Sequence, residues 1–118
     1  MKENVIQDKS YAFALKIVRL YQHLTSTKRE FVLTKQLLRS GTSIGANIEE
    51  AIGGQSRADF ISKLSIAYKE ARETCYWLRL LKDSNYITVP EFTPLYDDAV
   101  ELCKIITAIQ RTTKSPSA

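Results

Sequence analysis

Residues 60–81, FISKLSIAYKEARETCYWLRLL, carry small and apolar side chains at alternating spacings of three and four residues. The members of this stripe are Phe60, Leu64, Ala67, Ala71, Thr74, Leu78 and Leu81. Such spacing places them on one face of an α-helix, as is typical of a helix with one side in a protein core. The stretch therefore predicts a long amphipathic helix.

Three further segments show the same spacing. Their stripes are Phe13, Ile17, Leu20 and Leu24; Leu37, Gly41, Ile44, Ile48 and Ala51; and Phe92, Leu95, Ala99, Leu102, Ile106 and Ile109. A chain of 118 residues has the size of one domain, and helices joined by short loops pack as antiparallel neighbours. We predict one all-α domain over residues 1–118, an antiparallel up-down-up-down four-helix bundle with helices at about 5–24, 28–52, 57–83 and 90–112.

The predicted helix ends rest on capping residues. A hydroxyl precedes a carboxylate by three residues at Thr27–Glu30, Ser56–Asp59 and Thr88–Glu91. In this capping-box arrangement the two side chains bind free backbone N–H groups at the start of a helix. We expect Gly53 and Gly54 to close the second helix in the left-handed conformation, and Asn85 to close the third.

Composition and charge limit the class of protein. The net charge of +4 and pI near 9.1 permit an anionic partner, but the basic residues are spread along the chain rather than gathered in one arm. Because no apolar run approaches the ~20 residues of a membrane span and no leader-like segment opens the chain, we expect a cytoplasmic protein without a membrane segment. Cys75 and Cys103 are expected to be reduced core side chains.

Residues that could catalyse a reaction or bind a metal do not form a recognisable set. His23 is the only histidine, and Cys75 and Cys103 fall in different helical segments. This pattern lacks the ligand spacing of a di-iron bundle or of a zinc site. We predict no enzymatic activity, no catalytic residue, no metal and no cofactor.

A polar row runs beside the apolar stripe of the second helix. Its members are Gln36, Ser40, Ser43, Asn47 and Glu50. The same helix contains two interior glycines, and each costs about 1 kcal/mol relative to alanine, which suggests close approach of another backbone. Either the row faces water, or the helix packs on two sides, once in its bundle and once against another chain. We favour the second alternative and expect Ser43 and Asn47 to be partly buried.

Two groups of side chains could contact phosphates or bases. The first is Lys28, Lys35 and Arg39, at spacings of seven and four on one side of the second helix; the second is Lys69, Arg72, Tyr76 and Arg79 on the third. Guanidinium and aromatic groups together bind nucleic acid. The alternatives are a solvated face with intrahelical pairs for the second group, and an ion pair with Glu50 or a neighbour's carboxylate for Arg39.

The run at residues 37–50, LLRSGTSIGANIEE, together with Phe60, Leu64, Glu73 and Trp77, resembles the signature of the 23S rRNA intervening-sequence proteins, often called ribosomal-protein-like. Arg39 matches this signature, as do Gln36, Ser43, Ile44, Asn47, Ile48 and Glu50, and these last six are expected to serve packing or a subunit interface. The glycine that follows the glutamate in the family is Ala51 here.

This resemblance implies a four-helix bundle of largely unassigned activity, with relatives that assemble into five-fold rings. We therefore expect a non-enzymatic homo-oligomer, with a homopentamer the leading possibility, that binds structured RNA or a nucleoprotein through weak basic patches. The first alternative is a protein-interaction scaffold with no nucleic-acid role. A more distant alternative is a small-molecule binder with a cavity between helices or along a ring axis.

Overall fold

The computed structural model describes residues 4–113, which form α1 (Val5–Ser26), α2 (Leu33–Ile52), α3 (Arg57–Asp83) and α4 (Val89–Thr113), with no strand in that range. The molecule measures 50 × 23 × 21 Å, as expected when helices of this length lie side by side. The predicted all-α four-helix bundle is confirmed. Residues 1–3 and 114–118 of the predicted domain lie outside the described residues.

Each helix packs against its neighbours in sequence, and α4 returns to contact α1. Ion pairs between helices show the directions: Lys9–Glu101 and Lys16–Asp98 join α1 to α4, and Arg39–Glu73 and Glu50–Lys63 join α2 to α3. In each set the residue number rises on one helix as it falls on the other. These pairs are therefore antiparallel, as the up-down-up-down order requires.

The core consists of the apolar stripes. Its largest fully buried side chains include Phe13, Ile17, Leu24, Leu37, Ile44, Ile48, Leu64, Leu78, Leu81, Leu102 and Ile106. Phe60, Phe92 and Ile109 are only partly buried and pack against this core from its ends. Burial of these side chains is the main favourable term that holds the four helices together.

The start of α2 differs from the prediction, because the helix begins at Leu33 rather than near residue 28. Thr27 instead follows the end of α1, where its N–H donates to the carbonyl of His23 at 2.8 Å. Arg29 then turns the chain with a left-handed φ of 56°. The predicted Thr27–Glu30 capping box is therefore wrong, and Lys28 lies in the linker rather than on the helix.

Glu30 alone caps α2. Its carboxylate accepts backbone N–H groups from Val32, Leu33 and Thr34 at 3.1, 3.0 and 2.7 Å. Burial of this side chain raises its pKa, but the hydrogen bonds from Thr34, Leu33 and Val32 outweigh that effect, and the pKa lies below the ordinary glutamate value. The ionised carboxylate thus satisfies three of the N–H groups that a helix start leaves without partners.

The other predicted caps are present. Ser56 Oγ accepts the N–H of Asp59 at 3.0 Å. Thr88 and Glu91 form the reciprocal box, with the Thr88 N–H 2.7 Å from Glu91 Oε1 and the Glu91 N–H 3.2 Å from Thr88 Oγ1. Asn85 follows α3 with the expected left-handed φ of 67°. The capping residues at both ends of α3 and at the start of α4 could therefore be predicted from the sequence.

The glycines within α2 serve packing, and those after it do not form the predicted left-handed turn. Gly53 has a φ of −84° and Gly54 has no positive φ either, so the expected left-handed cap is wrong. A Cβ at Gly41 would lie 2.9 Å from two carbon atoms of Ile17, and one at Gly45 would lie 3.3 Å from the backbone oxygen of Ser10. Both neighbours belong to α1. The close approach that these glycines permit is therefore made inside the bundle and does not indicate a second chain.

Candidate functional site

A groove between α3 and α4 brings three cations together. This pocket has a volume of about 360 Å³, and its residues are Arg72, Cys75 and Arg79 from α3 and Tyr96, Val100, Cys103 and Lys104 from α4. Arg72 and Arg79 are seven residues apart and so occupy the same side of their helix. The antiparallel α4 places Lys104 opposite them. The groove therefore combines positive charge with an aromatic wall.

The groove continues along the same pair of helices. A second pocket of about 350 Å³ shares Cys103 and Lys104 with the first and adds Tyr68, Thr107 and Arg111. Neither pocket contains an Asp or Glu side chain from the described part of the chain. We call the two pockets together the basic groove.

On α4, Asp98 and Glu101 pair with α1, whereas Lys104 and Arg111 border the groove with α3; Lys104 also lines a surface pocket with Asp97, Asp98 and Glu101. Towards α1, Asp98 binds Lys16 at 2.8 Å and Glu101 binds Lys9 at 3.4 Å. Towards α3, the four cations of the basic groove, Arg72, Arg79, Lys104 and Arg111, form no ion pair within residues 4–113. Asp98 and Glu101 are therefore paired with lysines of α1, and the cations of the groove are left for a ligand.

Arg72 is held at the junction of the two pockets by Tyr68. Its Nη1 donates to Tyr68 Oη at 3.0 Å, and its guanidinium carbon lies 5.9 Å from the centre of the Tyr68 ring. A guanidinium placed against an aromatic ring keeps free N–H groups that can bind an anion. Arg72 is therefore oriented in advance towards the groove.

Two of the four cations of the basic groove are predicted from the sequence. Of the group Lys69, Arg72, Tyr76 and Arg79, only the two arginines enter the groove. Lys69 and Tyr76 are exposed, and Tyr76 packs edge-on against Trp77 at 5.0 Å between ring centres. Lys104 and Arg111 were missed, although their spacing of seven residues on α4 is a visible signal of one helical side.

The other predicted cation group does not form one surface of α2. Lys28 is exposed in the linker, and Lys35 is exposed on the first turn of the helix. Arg39 Nη2 lies 2.7 Å from Glu73 Oε2, and its Nη1 lies 3.8 Å from Glu70 Oε1. Of the alternatives left open for Arg39, the structure therefore contains an ion pair, but with α3 carboxylates rather than Glu50.

Glu73 joins two parts of the family-like pattern. Its Oε2 accepts from Arg39 at 2.7 Å and from Trp77 Nε1 at 2.9 Å. Nearby, burial raises the pKa of Glu70 and the charge of Glu73 raises it further, while Arg39 opposes both. Arg39, Glu73 and Trp77 thus form a contact between α2 and α3 within one chain.

The polar row of α2 is partly buried, as expected for Ser43 and Asn47. Ser40 is fully buried and accepts from Thr74 Oγ1 of α3 at 3.0 Å. Ser43 and Asn47 are half-buried and donate within their own helix, to the carbonyls of Arg39 at 2.6 Å and Ser43 at 2.8 Å.

The other residues of α2 that match the family signature range from the core to the surface. Ile44 and Ile48 lie in the core, Gln36 is half-buried, and the exposed Glu50 binds Lys63 at 2.8 Å. The row therefore faces α3 at Ser40 and turns towards the surface at Glu50.

Residues 4–113 contain neither a metal-binding cluster nor a membrane-spanning helix. No three His, Cys, Asp or Glu side chains there come close enough together to hold a metal ion. None of the helices in this range has the length and apolar character needed to cross a membrane.

The fold and site define a four-helix bundle with one basic groove between helices. The chain belongs to the family of 23S rRNA-intervening sequence proteins, whose model matches residues 2–108. It is similar to a crystal structure of a protein with unknown function from the S23 ribosomal protein family of Bacteroides thetaiotaomicron VPI-5482. The two share 53% identity with a TM-score of 0.88, over 89% of this chain and 97% of the other. A comparison with curated proteins gave no significant match.

Proposed function

We propose that the protein is a non-enzymatic bundle that binds structured RNA through the basic groove between α3 and α4. The observation that carries this proposal is that Asp98 and Glu101 of α4 pair with α1, while the four groove cations have no ion pair among the described residues. The family description names an intervening sequence of 23S rRNA. Ribosomal RNA, and hence the cytoplasm, are therefore the first places to look for the ligand.

The proposed contacts are to the phosphate backbone. Arg72 and Arg79, like Lys104 and Arg111, are separated by seven residues, which is about 10 Å along a helix. Two such rows on antiparallel helices suit a strip of phosphates, and phosphate contacts position a protein without specifying bases. Tyr68 and Tyr96 line the groove, with one ring face of each next to Arg72 and Phe92 respectively, so a base would stack on the opposite face.

Lys28 and Lys35 are proposed as a weaker secondary contact. Both are exposed and form no ion pair in residues 4–113. Arg39 is not included as a principal contact, because Glu73 and Glu70 already neutralise its charge. A homo-oligomer, with a pentameric ring as the leading form, would repeat both surfaces and strengthen binding through avidity.

The test is a salt titration of binding to a labelled hairpin from 23S rRNA, with Arg79→Gln/Lys104→Gln compared with Lys9→Gln/Lys16→Gln. Both variants lose two positive charges, but the second pair is already neutralised by Glu101 and Asp98. We expect the groove variant to bind at least about tenfold more weakly. Its slope of log K against log salt should also be shallower by about 1.4–1.8, from two lost phosphate contacts. Equal losses in the two variants would contradict the groove, and no binding by the wild type at low salt would contradict RNA binding.

A protein-interaction scaffold is the second candidate, favoured by apolar side chains exposed at one end of the bundle. Phe31 and Val32 in the α1–α2 linker are 50% and 70% exposed, and Val89 at the start of α4 is 62% exposed. Both segments lie at the end of the bundle where α1 finishes. Native mass spectrometry without RNA tests this candidate. An oligomer that Val32→Ser/Val89→Ser dissociates, in a protein that binds no RNA, would place the scaffold ahead.

A further inference from the structure

We propose that Cys75 and Cys103 form a reversible dithiol–disulfide pair that links α3 to α4 at the floor of the basic groove, with hydrogen peroxide as the oxidant. The two residues are far apart in sequence, and their pairing is created by the antiparallel packing of these helices. This inference is independent of RNA binding, because its readouts are covalent state and thermal stability.

The geometry provides both proximity and access. Both cysteines are free, and both belong to the same pocket of about 360 Å³. Cys75 lies on α3 and Cys103 on α4, and the packing of these two helices brings both side chains to the wall of the same pocket. Cys75 is buried, whereas Cys103 is partly exposed and reaches both pockets of the groove. A small oxidant in the groove therefore meets Cys103 first.

The surroundings give the two thiols different roles. Cys103 is the more accessible thiol, because it is partly exposed in the groove whereas Cys75 is buried. Interaction with the Cys75 thiol lowers the pKa of Cys103 against the opposing effect of burial, and the charge of Arg72 lowers it further. Because the oxidant reaches Cys103 first and the thiolate is the nucleophilic form, Cys103 is the attacking residue and Cys75 the resolving one.

The reaction balances without any other cofactor. The Cys103 thiolate attacks one oxygen of hydrogen peroxide, the O–O bond breaks, and hydroxide leaves while Cys103 becomes a sulfenic acid. Cys75 sulfur then attacks Cys103 sulfur and expels the second oxygen, which leaves as water when the proton of Cys75 is transferred. Overall, two thiols and one peroxide yield one disulfide and two water molecules, with two electrons passing from sulfur to oxygen. A thiol reductant reverses the change by thiol–disulfide exchange.

Peroxide titration followed by alkylation and intact-mass measurement tests the pair. We expect wild-type protein to lose two hydrogens, to resist alkylation after unfolding, and to recover both reactive thiols with dithiothreitol. The disulfide would close a long loop through the α3–α4 linker, so the melting temperature should rise by at least about 5 °C on oxidation.

Single variants separate the two roles. Cys75→Ser should stop at a sulfenic acid on Cys103 that dimedone traps, whereas Cys103→Ser should react with peroxide at least about tenfold more slowly. Cys75→Ala provides a second resolving-residue variant if Cys75→Ser folds poorly, since alanine is compatible with a buried site. Two equally alkylated thiols after peroxide treatment, or a disulfide found only between chains, would overturn the proposal.

Discussion

Arg39 of α2 lies 2.7 Å from Glu73 of α3, and the same carboxylate oxygen accepts the indole N–H of Trp77. An arginine that looks from sequence like an RNA contact is therefore bound to a carboxylate of its own chain. This contact joins α2 and α3, the two helices whose residues in this chain match the family pattern.

The first prediction concerns the energy of this contact. A double-mutant cycle with Arg39→Ala and Glu73→Ala should give a coupling free energy of about 0.5–1 kcal/mol, in the range of partly exposed ion pairs. Trp77 is the only tryptophan, so its fluorescence should change with Glu73→Ala. Urea unfolding measures the cycle, with Lys9→Ala and Glu101→Ala as the control for a more weakly positioned pair at 3.4 Å. A coupling no larger than the control would contradict the structural role of Arg39.

A second prediction follows from the carboxylate that caps α2. Glu30→Gln should lower the free energy of unfolding at pH 7 by about 1–2 kcal/mol, because three backbone N–H groups lose a charged acceptor. The folded pKa of Glu30 is depressed, so its stabilisation is present above the unfolded value near 4.5 and is lost as pH falls through the folded value.

Urea unfolding from pH 7 to pH 3 should therefore show wild type and Glu30→Gln converging as the solution becomes acidic. Asp97→Asn, at an exposed side chain, is the matched control and should follow the wild-type curve. A constant difference between Glu30→Gln and wild type at every pH would show that the charge of Glu30 has no part in capping.

The third prediction tests the close packing of α1 on α2. Gly41→Ala should destabilise the protein by about 1–2 kcal/mol, because the new Cβ would lie 2.9 Å from two carbon atoms of the fully buried Ile17. The steric cost is larger than the gain in helix propensity of about 1 kcal/mol that alanine brings in place of glycine, so the net effect is destabilising. At Gly53 the nearest atom to an added Cβ is 3.5 Å away and φ is −84°, so Gly53→Ala should change stability by less than about 0.5 kcal/mol. Equal thermal shifts in the two variants would contradict this packing.

The fourth prediction separates stability from assembly in the polar row of α2. Thr74→Val should cost about 1–2 kcal/mol, because it leaves the buried Ser40 hydroxyl with only the carbonyl of Leu37, 3.4 Å away. Asn47→Ala should change the stability of the single chain by less than about 0.5 kcal/mol, since Asn47 binds only Ser43 in its own helix. Denaturation at low protein concentration measures both. If Asn47→Ala, but not Thr74→Val, converts an oligomer into a smaller species in native mass spectrometry, Asn47 lies in a subunit interface.

The sequence was sufficient for the fold because its strongest signals are local. Apolar stripes, the Ser56 cap and the Thr88–Glu91 box each depend on residues within a few turns of one helix, and all are present. The start of α2 was misplaced because Glu30 acts alone, through its own carboxylate, and the chain reverses at Arg29 before the helix begins. A threonine three residues before a glutamate predicts a capping box both where the two side chains cap reciprocally, as at Thr88 and Glu91, and where the glutamate caps alone, as at Glu30.

The candidate site could be predicted only in part, because it depends on which helix faces meet. Arg72 and Arg79 were recognised on one helix, but Lys104 and Arg111 belong to the site only through the packing of α4 on α3. The pairing of Cys75 with Cys103 has the same origin. Conversely, the sequence places Arg39 among the RNA contacts, but in the structure it binds Glu73, which is 34 residues away in sequence. Contacts of this kind are determined by the arrangement of whole helices.

The position of the groove cations also affects how a partner approaches. Because Asp98 and Glu101 are paired with lysines of α1, the positive charge of the groove lies off-centre, on the α3–α4 side of the bundle. A polyanion at a distance exerts a torque on such a molecule and turns the α3–α4 side towards itself before the surfaces touch. Salt that screens this torque should therefore slow the encounter with RNA as well as weaken the complex.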